Sequence, residues 1–242
     1  MKFLLIQIRE QPWKIRWDRN SFFKAIGIPR KAVKVVNVFD GELQMKDLDG
    51  FDAVIIGGSK YGTYDKVPNM ALLKKFIKKA VKKNLPMLGV CFGAQLIAQA
   101  LGGKVVLDRK NQEFGTFIME LTKAGRHDPL FSKMLKNFRA QCAHHDRISR
   151  LPKGAINLAR SRKCAVQAFR ISGTWIYGLQ FHPERSARAY KEGVLYELNQ
   201  LPLRQRELKN LPLRKILRAI KSTKTETVFR NFLKVVKSVV RR

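Results

Sequence analysis

The stretch "PMLGVCFGAQLIAQALGG" (86–103) decides the fold. Pro86–Val90 is a short apolar run of strand type. "AQLIAQALGG" (94–103) reads as a helix closed by paired glycines. Between them Cys91 has a glycine two residues before it, Gly89, and another two residues after it, Gly93. A nucleophile-type residue so placed between strand and helix has the spacing of a nucleophile elbow. The dipole of the helix that follows is expected to lower the thiol pKa. Free cysteine is also among the most buried residue types. The pentapeptide alone leaves both readings open.

Working outward, the first half alternates apolar runs with amphipathic, lysine-rich stretches. "FLLIQI" (3–8), "AVKVVNVF" (32–39) and "FDAVIIGG" (51–58) read as strands, and "RNSFFKAIG" (19–27) as a short helix. In "NMALLKKFIKKAVKKN" (69–84) the apolar residues recur at helical spacing, and the lysines fall on the opposite, solvated face. Strand–helix alternation with short connections predicts an α/β fold: a mixed, mainly parallel sheet flanked by helices. Ligands bind such sheets at the C-terminal strand ends. The glycine-punctuated ends at 57–58 and 89–93 are therefore the places to look.

The second half is richer in strands: "KVVL", "GTFIMEL", "FRAQCAH", "AINLARS", "CAVQAFR" and "WIYGLQF". These predict an antiparallel extension of the same sheet. The last 57 residues return to helix, and Leu-Pro-Leu-Arg recurs at 201–204 and 211–214.

Charge is the unusual feature. Across 242 residues, 49 Lys and Arg face 18 Asp and Glu, for a net charge of +31. Residues 186–242 hold 15 of the basic residues and 4 of the acidic ones, so the excess runs through the whole chain. Such a field attracts polyanions, nucleic acid included, in a salt-dependent way. Three cysteines without metal-site spacing argue against a disulfide framework and for a reducing cytoplasm. No apolar run approaches a membrane span. The opening "MKFLLIQIRE" is too short in its apolar part for a signal peptide. Cys142 and Cys164 lie in apolar strands and are expected to be inert. His144 and His145 have no third metal ligand nearby in sequence.

A thiolate nucleophile needs a base, and the base needs a group to orient it. "GLQFHPE" (178–184) follows an apolar strand and offers His182 with Glu184 two residues on. An extended i, i+2 pair points to one side, so the carboxylate can hold one imidazole nitrogen while the other faces a thiol.

Taken together, "GVCFGAQLIAQALGG" and, about ninety residues later, "GLQFHPE" resemble a class I (triad-type) glutamine amidotransferase domain, flavodoxin-like in fold. This family is related to the glutaminase part of GMP synthetase and to γ-glutamyl hydrolases and peptidases. The likeness covers roughly residues 1–185 and extends to "IIGGSKYGTYDKVPN" (55–69), "QEFGTFIMEL" (112–121) and "AHHDRISRLPKGAINLARS" (143–161).

The resemblance implies Cys91 as nucleophile, His182 as general base and acid, and Glu184 as the residue orienting the histidine. It implies Gly58 and Phe92 as the backbone donors of an oxyanion hole. Gln95, with His144 and Asp146 of the bordering segment, would bind substrate. The implied chemistry is hydrolysis of the L-glutamine side-chain amide through a γ-glutamyl thioester, with no metal or organic cofactor. No synthetase motif is visible, so ammonia used in synthesis would go to a separate synthetase partner. Two other readings stand: a γ-glutamyl peptidase or hydrolase, and a basic nucleic-acid-associated protein that retains the fold.

The sequence departs from the family pattern in three places. Ser59 stands where proline commonly follows the paired glycines, and Arg185 where a small or apolar residue follows His-Pro-Glu. Thirdly, "FRNFLKVV" (229–236) resembles the family's closing helix but lies unusually far from His-Pro-Glu. The organisation expected is a catalytic domain over 1–185, a basic helical insertion over 186–224, and a closing helix of the same domain over 225–242.

Overall fold

Strand and helix alternate through the first hundred residues because apolar runs of four or five residues are separated by amphipathic stretches. The computed structural model describes residues 1–41, 43–199 and 217–240. In chain order it contains β1 (Phe3–Gln7), α1 (Pro12–Ile26), β2 (Val33–Asn37), β3 (Ala53–Ile56), α2 (Met70–Lys82), β4 (Met87–Val90) and α3 (Phe92–Ala100). Then follow β5 (Lys104–Leu107), β6 (Glu113–Leu121), α4 (Lys123–His127), β7 (Asn137–His144), β8 (Asp146–Arg150), β9 (Ala155–Ser161), β10 (Ala168–Ile171) and β11 (Ile176–Leu179). Two helices come last, α5 (Ala187–Asn199) and α6 (Glu226–Val240).

The main sheet runs β2-β1-β3-β4-β11-β10-β9-β6-β7. Its first five strands pair in parallel, and the rest form the antiparallel extension. Both faces of the parallel part are covered, so the central strands β3 (AVII) and β4 (MLGV) are apolar and buried at every position, whereas the edge strand β2 exposes Lys34. Phe3 and Leu5 of β1 join one core with Phe22 of α1 and Phe229 and Phe232 of α6. Leu4 and Ile6 join the other with Leu73, Phe76 and Ile77 of α2 and Leu96 and Ile97 of α3. Lys75 and Lys78 of α2 are exposed, as the helical spacing requires.

The elements differ from expectation in three places. The first helix begins at Pro12, seven residues before the expected start, because proline's fixed φ suits a first helical turn. "DRISR" forms β8, and with "KVVL" (β5), expected in the extension of the main sheet, it makes a separate two-stranded sheet. Of "CAVQAFR" (164–170) only the last three residues are strand, in a β10 that runs on to Ile171, with a register shift at Ala168/Phe169.

Helix α6 closes the α1 face. Its buried Asn231 donates to the carbonyls of Leu130 (3.0 Å) and Ser132 (2.8 Å). Both Leu-Pro-Leu-Arg copies, within the expected insertion, lie outside the described residues. Among the described residues no helix is long and apolar enough to cross a membrane.

The glycines around Cys91 are demanded by packing. A methyl group on Gly89 would lie 2.6 Å from the backbone of Gly93 and from the Ile97 side chain, and one on Gly93 would collide with the Ile56 carbonyl. Helix α3 therefore sits directly on β3 and β4. Gly93→Ala should destabilise the fold by about 1–3 kcal/mol or more, the usual cost of overpacking. Denaturant unfolding at wild-type stability would contradict this contact.

Candidate active site

The site forms where the parallel strands end. Cys91 follows β4 directly, and its N–H donates to Leu179 O of β11 at 2.7 Å. It then turns into α3 with φ 54° and ψ −106°. A non-glycine residue there costs on the order of 1–3 kcal/mol and persists only where its surroundings enforce it. This is the elbow that the sequence spacing predicts, and the strain is on the cysteine itself.

Gly58 brings the other parts to it. A Cβ on Gly58 would lie 3.1 Å from Cε1 of His182, 3.5 Å from Cβ of Cys91 and 3.5 Å from Nη2 of Arg9. The loop after β3, the elbow, the His182 ring and Arg9 thus converge on one point. His182 follows β11, and its N–H donates to Gln141 O of β7 (2.8 Å). Its Nδ1 is 2.6 Å from Oε1 of Glu184. That contact puts the ring proton on Nδ1 and leaves Nε2 as the acceptor. Nε2 is buried, with no hydrogen-bond partner among the described residues.

Cys91, Phe92, Gln95, His144, Asp146 and His182 line one cavity of about 220 Å³. Gln95 spends its amide nitrogen on Asp146 O (3.1 Å) and Gln180 Oε1 (3.1 Å). Gln180 Nε2 lies 3.7 Å from the Cys91 sulfur. His144 bridges Asp146 O through Nδ1 (3.1 Å) and Glu113 Oε2 through Nε2 (3.1 Å). Asp146 Oδ1 accepts from Tyr64 OH (3.1 Å) and contacts His145 Nδ1 (2.8 Å). A larger cavity of about 780 Å³, lined by Ile118, Leu135 and Phe138, contains none of these residues.

Space also gives His144 the companions that sequence did not: Glu113 and Cys142 place ligand-type atoms within 4.8 Å of it. The Glu113 carboxylate is already engaged by His144, Ser161 Oγ (2.8 Å) and Gln167 Nε2 (2.5 Å). Burial pushes the Cys142 thiol well above its ordinary value. The cluster is a hydrogen-bonded anchor for the cavity wall.

Sequence reasoning passed over Arg9 and Asp18. Arg9 Nη2 donates to Asp18 Oδ1 at 2.9 Å, and Gln7 Nε2 donates to Asp18 Oδ2 at 3.1 Å. Burial opposes both charges, yet each partner outweighs it, holding the guanidinium above its usual value and the carboxyl below. The signal that could have found Arg9 was "QIRE" (7–10): polar residues at the end of an apolar strand, at the sheet edge where sites form.

The electrostatics correct one expectation. Helix polarity predicts a lowered Cys91 thiol pKa. Burial instead pushes it up to about 11, against the pull of Arg185 and Arg9. His182 moves the other way: burial and then the Arg185 charge hold it below 6.5, against the pull of Glu184. At neutral pH the resting pair is thiol and uncharged imidazole.

The family model described as glutamine amidotransferase class-I matches residues 23–198, well over half of the chain. The chain belongs to that family. It is 34% identical over 143 residues to the glutamine-hydrolysing GMP synthase of Thermosipho melanesiensis, covering 59% of this chain and spanning 26% of that protein. It is 30% identical over 172 residues to a glutamine-hydrolysing GMP synthase subunit of Methanocaldococcus jannaschii, covering 71% of this chain and 84% of that relative. Gamma-glutamyl peptidase 4 of Arabidopsis thaliana is 31% identical over 182 residues, covering 74% and 70%. A solved glutamine amidotransferase from Thermotoga maritima has the same fold, with TM-score 0.77, 22% identity and 98% of each chain covered.

Without substrate, iodoacetamide alkylation of Cys91 should keep accelerating from about pH 7 to 10, because only the thiolate reacts. A plateau near neutral pH would show a thiol already ionised and overturn the burial argument.

Proposed function

We propose that this chain hydrolyses the side-chain amide of L-glutamine through a Cys91–His182–Glu184 triad. One observation carries the reading: a strained cysteine shares a cavity with a histidine whose Nδ1 is held at 2.6 Å by Glu184 and whose Nε2 is left unpartnered among the described residues. His182 Nε2 takes the thiol proton as the sulfur bonds to the amide carbon. Because the resting pair is uncharged, proton transfer accompanies attack instead of preceding it. The oxyanion that forms accepts from the N–H groups of Gly58 and Phe92, a contribution of roughly 10²–10³ in rate per donor.

Collapse breaks the C–N bond, and the imidazolium returns its proton to the departing nitrogen, releasing ammonia. Water, deprotonated by His182, then attacks the γ-glutamyl thioester and yields glutamate. Gln95, His144 and Asp146 line the space for the glutamyl moiety. Gln95's amide N–H groups are engaged, so substrate meets its carbonyl.

The Methanocaldococcus relative, named as one subunit of a GMP synthase, supports delivery of the ammonia to a separate synthetase partner. A second reading, a γ-glutamyl peptidase or hydrolase, is supported by the Arabidopsis relative, 70% of whose length the chain covers. It uses the same thioester with an amine in place of ammonia as leaving group.

Assaying glutamate and ammonia from glutamine beside a γ-glutamyl dipeptide separates the two. Cys91→Ala should abolish turnover of either, and Glu184→Gln should lower it by on the order of 10³-fold by releasing the imidazole tautomer. Substantial hydrolysis by Cys91→Ala would overturn the mechanism.

A further inference from the structure

Arg185, which departs from the family pattern directly after His-Pro-Glu, has its side chain 11% exposed. Its Nε lies 3.4 Å from Oε1 of Glu184, the same oxygen that holds His182. The guanidinium carbon sits 4.9 Å from the ring centroid of Trp17 and 5.9 Å from that of Tyr190. Neither ring is free to move. Tyr190 OH donates to Cys142 O (2.6 Å) and accepts the N–H of Gly115 (3.1 Å), tying α5 to β6 and β7. Trp17 lies so close to α5 that a methyl group on Gly193 would come within 2.7 Å of it.

Arg185 also lines two cavities. One is the cavity containing Cys91; the other, of about 510 Å³, is bordered by Trp17, Glu184, Ser222 and Glu226. Glu184 borders only the second. The arginine therefore stands between the thiol side of the site and the second cavity, beside a Glu184 carboxylate that is fully buried.

We propose that Arg185 is a positioning residue for the hydrolytic reaction: clamped between Trp17 and Tyr190, it fixes Glu184 against His182 and keeps the imidazole in its uncharged, proton-accepting form. The inference rests on the reading of His182 as the base. It works in two ways. The 3.4 Å contact is an ion pair without hydrogen-bond geometry, so the guanidinium braced by two rings holds the carboxylate through its charge. The positive charge also opposes protonation of the neighbouring imidazole. The other titratable groups around His182 are Cys91, Glu184, Arg9 with its counter-ion Asp18, and, lining the same cavity, Lys14, Lys60, Tyr61, His144, His145, Asp146 and Glu197. Burial is the largest influence against the imidazolium, the Arg185 charge comes next, and Glu184 opposes both.

The test is an NMR titration of the His182 ring nitrogens in the full chain, run with the pH profile of hydrolysis. Wild-type His182 should titrate below 6.5. In Arg185→Gln the titration and the acid limb of kcat/KM should both move up by about half a unit or more. Its kcat should fall about 10- to 100-fold, the scale of a misplaced catalytic group. Arg185→Lys keeps the charge, so its titration should stay near wild type while only part of the rate is lost. Should Arg185→Gln fail to fold, Arg185→Met keeps an apolar stem between the rings and serves as the neutral variant.

A His182 titration unmoved in the neutral variant, with activity falling only in step with melting temperature, would overturn the proposal. If wild type hydrolyses no γ-glutamyl substrate, the functional reading fails, and the titration still decides what Arg185 does to His182.

Discussion

Everything at this site depends on how closely α3 approaches β3 and β4. Gly93 has no room for a side chain beneath the Ile56 carbonyl, and Gly89 none beneath α3. The chain must therefore reverse within one residue, and Cys91 takes a backbone conformation that L-residues avoid. The apolar burial of two cores, one on each face of the sheet, holds that strain in place. The same approach starts α3 at Phe92, directly after the cysteine, and Gly58 lies against both Cys91 and His182. Packing and catalytic geometry are one constraint here.

A second constraint is electrical. The site is dry enough that burial is the largest influence on both Cys91 and His182, and it opposes charge on each. Its fixed charges are accordingly paired: Arg9 with Asp18, Arg185 with Glu184. Unpaired, any of them would carry a desolvation cost that nothing nearby offsets. In the mechanism proposed above, uncharged reactants amid fixed, paired charges leave the proposed oxyanion hole to stabilise the charge that develops during reaction.

Much of this was legible in the sequence, for physical reasons. The elbow, the paired glycines after β3 and the His182–Glu184 contact are local features, set by neighbours a few residues away, although the contact is made across a turn closed by Arg185 N–H to His182 O (3.3 Å) and not along the extended segment expected. The alternation of apolar runs with amphipathic stretches marked the parallel part of the sheet for the same reason. Asp18, Gln180 and Trp17 were not legible, because their roles come from contacts between separate segments, whereas Arg9 left a signal in "QIRE" that was passed over. Arg185 was visible as a departure, but its partners Trp17 and Tyr190 lie on two different helices. The thiol was misjudged because helix polarity can be read from sequence, whereas the burial that outweighs it cannot. Strand β8 was missed because it pairs outside the main sheet and carries no continuous apolar run.

The central claim is that Cys91 becomes acylated. Wild-type protein turning over glutamine labelled in its carbon chain is quenched in acid, digested and mapped by mass spectrometry. The account predicts one γ-glutamyl group, labile to hydroxylamine, on the peptide bearing Cys91 and on no other. Hydrolysis proceeding with that peptide unmodified, or with the label on Cys142 or Cys164, would contradict it.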